Sequence, residues 1–174
     1  MKTRTVIISL CALLLASSLA YLWWKPSGPA VTPDITVVTT AGEKISLADM
    51  RGKPLLVTFW ATTCSTCMKE MPHLIDLYHE LSPRGLAIIG IAIFYDPPNR
   101  VIAMQESRGI PYTVALDIDA QASRAFGEVG LTPTTFLIGP DGRVVYHKTG
   151  SMDMGKVRSE ILAMLGPSPA AGNP

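Results

Sequence analysis

Phe59-Trp60-Ala61-Thr62-Thr63-Cys64-Ser65-Thr66-Cys67-Met68-Lys69-Glu70-Met71-Pro72 is the stretch from which the rest of the chain can be read. Just before and into it, Leu55 to Trp60 is apolar almost without a break, as a strand covered on both faces should be. Downstream, Met71, Leu74, Ile75, Leu77, Tyr78 and Leu81 recur at the spacing of one helix face. A short β-type run, a tight turn and a 3.6-period segment predict strand, turn and helix, the helix running from about Ser65 to Leu81. Pro72 lies inside that helix and removes one of its hydrogen bonds, which predicts a kink. Cys64 then stands at the helix N-terminus, where unpaired backbone N–H groups and the helix dipole favour a thiolate. Thiol–disulfide exchange needs the thiolate, so position and chemistry agree. Cys-x-x-Cys is also a zinc-knuckle spacing, but a structural zinc takes four ligands. The one remaining cysteine of three, Cys11, lies far upstream in an apolar segment. A redox pair is therefore expected, with no metal and no cofactor.

The pattern Trp60-Ala-x-x-Cys-x-x-Cys-x-x-Glu-x-Pro resembles the membrane-anchored TlpA/ResA/CcmG-like thiol–disulfide oxidoreductases of the thioredoxin fold. A second landmark, Leu131-Thr132-Pro133-Thr134-Thr135-Phe136, follows far downstream. The resemblance covers roughly residues 33–165. It implies a thioredoxin-like α/β fold: a mixed central β-sheet flanked by helices, with an N-terminal β-hairpin and a central βα insertion. Cys64, first in the motif and the more exposed, is expected to be the attacking nucleophile; Cys67, one turn into the helix, the buried resolving thiol. The two form the redox-active disulfide. By resemblance, Pro133 sits in the family's cis-proline loop against that disulfide, an ordinary trans proline opening an edge strand being the alternative. There the Thr132 backbone is placed to pair with an extended substrate strand. Trp60 joins Thr132 and Pro133 as a candidate substrate-binding residue, though packing beneath the site is the simpler role. Glu70 is implied by the family to take part in proton chemistry, and a solvated helix carboxylate is the competing reading. Departures are also visible. Thr58 stands where ordinary thioredoxins have a buried aspartate, Thr63 where they have tryptophan, and Ser65-Thr66 where they have Gly-Pro.

The N-terminus carries the targeting signals. Lys2 and Arg4 precede an uncharged run over residues 6–24, about the length a bilayer-spanning helix needs. Tyr21, Trp23 and Trp24 fall where an interfacial aromatic belt belongs, and the positive charge ahead of the run predicts an N-in orientation. Ser18-Leu19-Ala20 is a passable signal-peptide cleavage site, yet the run continues past it to Trp24, which favours an anchor. Lipidation of Cys11 is disfavoured by Leu10 before it. The chain thus divides into a membrane anchor or signal segment (1–25), a Pro-rich linker not expected to fold (26–33), a thioredoxin-like domain (34–166) and a tail (167–174). With 174 residues and a net charge of +1, the chain supports one domain and shows no nucleic-acid footprint. Within the domain, hairpins are expected at 35–38 with 44–47 and at 134–138 with 143–147. Further strands are expected at 86–93 and 113–116, and helices at 99–108, 120–126 and 152–165.

The function this predicts is reduction of disulfides in particular envelope proteins, of the cytochrome c maturation or copper-site assembly type. The body would face the periplasm or another extracytoplasmic space from the bacterial inner membrane, recharged by a membrane-embedded electron donor. Three alternatives stand beside it. A copper(I) module would use the two thiolates as soft ligands. A disulfide-donating oxidase would run the same exchange in reverse. Peroxide reduction is weakly supported, because Ala61 rather than threonine lies three residues before Cys64.

Overall fold

The computed structural model describes residues 30–167, together with residues 7, 10 and 12–18. Among the described residues no helix is long and apolar enough to cross a membrane. The anchor or signal segment expected over 1–25 lies largely outside them, as do residues 26–29 and 168–174.

The strands are β1 (Thr36–Thr39), β2 (Lys44–Ser46), β3 (Leu55–Trp60), β4 (Ala87–Ala92), β5 (Thr113–Leu116), β6 (Thr134–Ile138) and β7 (Val144–Thr149). The helices are α1 (Ser65–Leu81), α2 (Pro98–Arg108), α3 (Gln121–Ala125) and α4 (Met154–Leu165). The strands form a single mixed sheet in the order β2-β1-β5-β4-β3-β6-β7. β3, β4 and β5 run parallel; β6 lies antiparallel to β3 with β7 antiparallel to β6 beyond it, and on the other side β1 lies antiparallel to β5 with β2 antiparallel to β1.

Alternation along β3 sorts the core into two layers. Leu55, Val57 and Phe59 point to one face, with Ile89 and Ile91 of β4, Phe136 of β6 and Phe126 just after α3. Leu56 and Trp60 point to the other, with Leu74 and Leu77 of α1, Val101 of α2, and Val157 and Ile161 of α4. Fully burying a leucine, isoleucine or phenylalanine side chain stabilises by roughly 1.5–3 kcal/mol relative to exposure, and both faces of β3 and β4 gain this. That is why these strands read as unbroken apolar runs. Gly90 breaks the run in β4 for a reason of space. A Cβ there would lie 3.2 Å from both Trp60 Nε1 and Tyr112 Cε2, so the glycine lets two large rings lie against the strand. On α1 and α4, Glu80 and Arg158 form an exposed ion pair that draws the Glu80 carboxyl below its ordinary range.

Several other bounds move by one residue, and three expectations shift further. Strand β7 starts one residue later than read and runs two further, with an irregular register at Leu137 and Ile138. Helix α4 starts at Met154, because the Asp153 side chain caps it by accepting the Lys156 N–H at 3.0 Å. The linker is not loose throughout. Thr32 donates its backbone N–H and its hydroxyl to the Gly142 carbonyl, each at 2.9 Å, and Val31 bridges Arg143. An extended Pro-rich segment has unpaired backbone groups, and the start of edge strand β7 offers partners for them.

Candidate active site

Strand β3 delivers the chain to the carboxyl edge of the parallel strands, where loops after β4 and β5 also emerge. The turn that follows is closed by the Cys64 N–H donating to the Ala61 carbonyl at 3.1 Å. Cys64 is the N-cap of α1 and is only partly buried, and its sulfur accepts the Cys67 backbone N–H at 3.1 Å. Cys67 lies one turn in and is 4% exposed. The two are joined as a disulfide, with Cα atoms 5.2 Å apart. One sulfur is thus reachable and held by a helix N-terminus, and the other is shielded behind it, the arrangement an attacking and a resolving cysteine need.

The second landmark comes to the same place. Register pairs Phe59 of β3 with Thr134 of β6, so Pro133 stands one residue from the end of the ladder at which β3 leads into the cysteine turn. The Thr132–Pro133 bond is cis, as the resemblance implied. Pro133 is buried and Thr132 half-buried beside it. Trp60 is different. It is 4% exposed and its ring lies against Gly90, so it underpins the turn and does not itself meet a substrate. Its indole Nε1 is the one buried side-chain polar atom without a hydrogen-bond partner among the described residues.

Glu70 is not a solvated helix carboxylate. It is 5% exposed, and its Oε1 accepts hydrogen bonds from the Ser151 hydroxyl at 2.7 Å and the Met152 N–H at 2.8 Å. The carboxylate therefore ties the active-site helix to the loop before α4, one helical turn past Cys67. Thr58 shares a hydrogen bond of 3.1 Å with Thr135 across β3 and β6. The position that bears an acid in ordinary thioredoxins is here filled by a neutral, paired hydroxyl. His73 and His79 are exposed on α1, and His147 stacks on Phe136 at 4.3 Å. Among the described residues no three side chains of metal-binding type converge.

One residue escaped the sequence reading. Asp96, just beyond β4 and 7% exposed, accepts the Thr62 N–H through Oδ2 at 2.5 Å and the Thr62 hydroxyl through Oδ1 at 2.7 Å. Thr62 lies two residues before Cys64. The signal available was topological: β3 and β4 are adjacent parallel strands, so the loops after them must meet at one edge. Beside Asp96, Phe94 and Tyr95 are about half exposed at 46% and 51%, and Leu131, ahead of Pro133, is 69% exposed. The segments that carry these side chains adjoin the same end of the sheet as the cysteine turn.

Comparison with known proteins agrees with the geometry. The model of the AhpC/TSA family matches residues 30–147. The thiol-disulfide oxidoreductase ResA of Bacillus subtilis (strain 168) is 35% identical over 120 residues, 69% of this chain and 66% of that protein. ResA of Geobacillus thermodenitrificans (strain NG80-2) is 30% identical over 168 residues, 92% of this chain and 95% of that protein. Among solved structures, a thiol:disulfide interchange protein of the thioredoxin family from Chlorobium tepidum TLS superposes with a TM-score of 0.71 at 28% identity, covering 79% of this chain and 97% of that one.

Proposed function

Because the chain belongs to the AhpC/TSA family of thioredoxin-fold proteins and is a thiol–disulfide oxidoreductase, we propose that it works as a membrane-tethered reductant of particular protein disulfides outside the cytoplasm. The observation that carries the exchange chemistry is the asymmetry of the pair, a reachable Cys64 at a helix N-terminus and a buried Cys67 one turn behind it. The uncharged run over 6–24, preceded by Lys2 and Arg4, supports the tether and the N-in orientation, with the domain across the bacterial inner membrane.

The Cys64 thiolate attacks one sulfur of a substrate disulfide, forming a mixed disulfide and releasing one substrate thiolate. Cys67, as thiolate, attacks the Cys64 sulfur, closing the Cys64–Cys67 disulfide and releasing the second substrate thiolate. Two electrons have passed to the substrate, whose two thiolates take up protons. Glu70, buried within a turn of Cys67, is the group placed to accept the proton that Cys67 must lose. Thr132 presents backbone to the substrate chain, and Leu131, Phe94 and Tyr95 supply apolar contact beside it. The oxidised pair then needs two electrons from a membrane-embedded donor. Extracytoplasmic compartments are oxidising, so a reductant there works only with such a dedicated supply and selected substrates.

The deciding experiment equilibrates the full chain, in detergent, in graded glutathione buffers, with Cys64→Ser and Cys67→Ser as controls. A reduction potential near about −250 mV or below is expected of a reductant. A value near about −120 mV would reverse the direction to disulfide donation. If no two-electron couple is seen, copper(I) handling becomes the better account.

A further inference from the structure

Asp96 brings to the redox turn a carboxylate that forms no ion pair among the described residues. The ion pairs among the described residues join Arg143 to Asp141 and Arg158 to Glu80, and neither involves it. Its carboxylate is satisfied instead by Thr62, through a backbone N–H and a hydroxyl. Two links therefore stitch the β4–α2 loop to the turn before the cysteines, and a third bond closes the loop on itself. The Ile93 N–H donates to the Trp60 carbonyl at 3.0 Å, the Asp96 N–H donates to the Ile93 carbonyl at 2.9 Å, and Asp96 closes on Thr62. Two Cα steps of ~3.8 Å bound the Thr62-to-Cys64 span at about 7.6 Å. With the 2.5 Å contact to Thr62 and the reach of the cysteine side chain added, the carboxylate lies within about 14 Å of the Cys64 sulfur, and a charge buried to 7% exposure is screened less than one in water.

Resting on the dithiol–disulfide reading above, we infer that Asp96 is a positioning residue that also sets the redox poise of the Cys64–Cys67 pair. The argument is one of sign. Reduction takes the neutral disulfide plus two electrons and one proton to a thiol and a thiolate near neutral pH. The product carries a negative charge at Cys64 that the disulfide lacks. A fixed carboxylate nearby raises the energy of that product, opposing the helix N-terminus, which lowers it. Destabilising the reduced form makes the pair a stronger electron donor, the converse of oxidants whose reduced form is stabilised. Thr58, neutral and paired with Thr135, carries no such charge, so Asp96 supplies from the neighbouring loop an acid that β3 does not.

Asp96→Asn tests the charge while keeping the clamp. Its amide oxygen still accepts the Thr62 N–H, and its NH2 can donate to the Thr62 hydroxyl. Thr62→Val does the opposite, deleting one hydrogen bond and leaving the charge. For the full chain in glutathione buffers, Asp96→Asn is expected to shift the equilibrium about tenfold toward the dithiol form, ~30 mV. Cys64 is expected to alkylate several-fold faster with iodoacetamide at one fixed pH. Thr62→Val is expected to lower the unfolding midpoint and move the equilibrium less than twofold. Should Asp96→Asn not fold, Asp96→Ser, also uncharged, is read the same way. An Asp96→Asn equilibrium within twofold of wild type, or equal shifts from Asp96→Asn and Thr62→Val, would overturn the charge argument and leave the reductase reading standing. A wild-type chain with no two-electron couple would overturn both.

Discussion

The two buried acids nearest the redox pair, Glu70 and Asp96, are each held by hydrogen bonds to a distant loop, and each separates structure from chemistry by substitution. Glu70→Ala leaves the buried Met152 N–H without its acceptor, and a loss of roughly 1–3 kcal/mol in unfolding free energy is expected by denaturant titration. Glu70→Gln keeps an acceptor oxygen at the same place and should retain most of that stability. If the carboxylate handles the Cys67 proton, Glu70→Gln resolves the mixed disulfide on the order of 100-fold more slowly in acid-quenched time courses. Wild-type rates in Glu70→Gln would confine Glu70 to holding the loop. Tyr112 offers a second residue-level test. Burial pushes its phenol above the usual tyrosine range. As pH rises through about 10 the unfolded chain therefore loses this proton first, and the folded chain keeps it. The contribution is complete below that pH and falls above it, by up to about 1.4 kcal/mol per pH unit. Urea midpoints of the oxidised protein should drop more steeply from pH 9.5 to 11 in wild type than in Tyr112→Phe.

At the scale of elements, the junction of β3 and α1 depends on what lies under it. Trp60 and Tyr112 share the space over Gly90, both 4% exposed, so neither ring can move aside for an added methyl. Gly90→Ala should destabilise by about 1–3 kcal/mol, the usual cost of overpacking a core, and change the tryptophan fluorescence of the folded state. An unchanged midpoint would mean the strand can shift to admit the methyl. Helix α4 depends on its cap, so Asp153→Ala should cost about 1 kcal/mol with the redox equilibrium unaltered. These elements were readable because their signals are local. The apolar run of β3 and the periodicity of α1 predicted the observed bounds Leu55–Trp60 and Ser65–Leu81. The β7 and α4 boundaries moved because an irregular register and a side-chain cap set them, and neither leaves a period in the sequence.

In the whole molecule, the domain begins earlier than its hydrophobic pattern suggests. Residues 30–32 pair with the turn into β7, so a chain starting at residue 30 should match the full chain in unfolding midpoint, whereas one starting at residue 36 should lose about 1–2 kcal/mol with its hydrogen bonds. Equal midpoints for the two would show the pairing to be energetically idle. The amino-acid sequence alone determined the strand–turn–helix and the cysteine pair at the helix N-terminus, since neighbours in the chain encode these through spacing, and family resemblance marked Pro133. Only the tertiary structure decided that Asp96 clamps Thr62 across 34 residues, that Glu70 is buried against Met152 across 82, and that Trp60 lies beneath the site and not upon it. Those contacts arise where the parallel strands of the sheet bring their loops to one edge and the helices close over one face. The partner of a polar side chain there is chosen by packing, which no local pattern records.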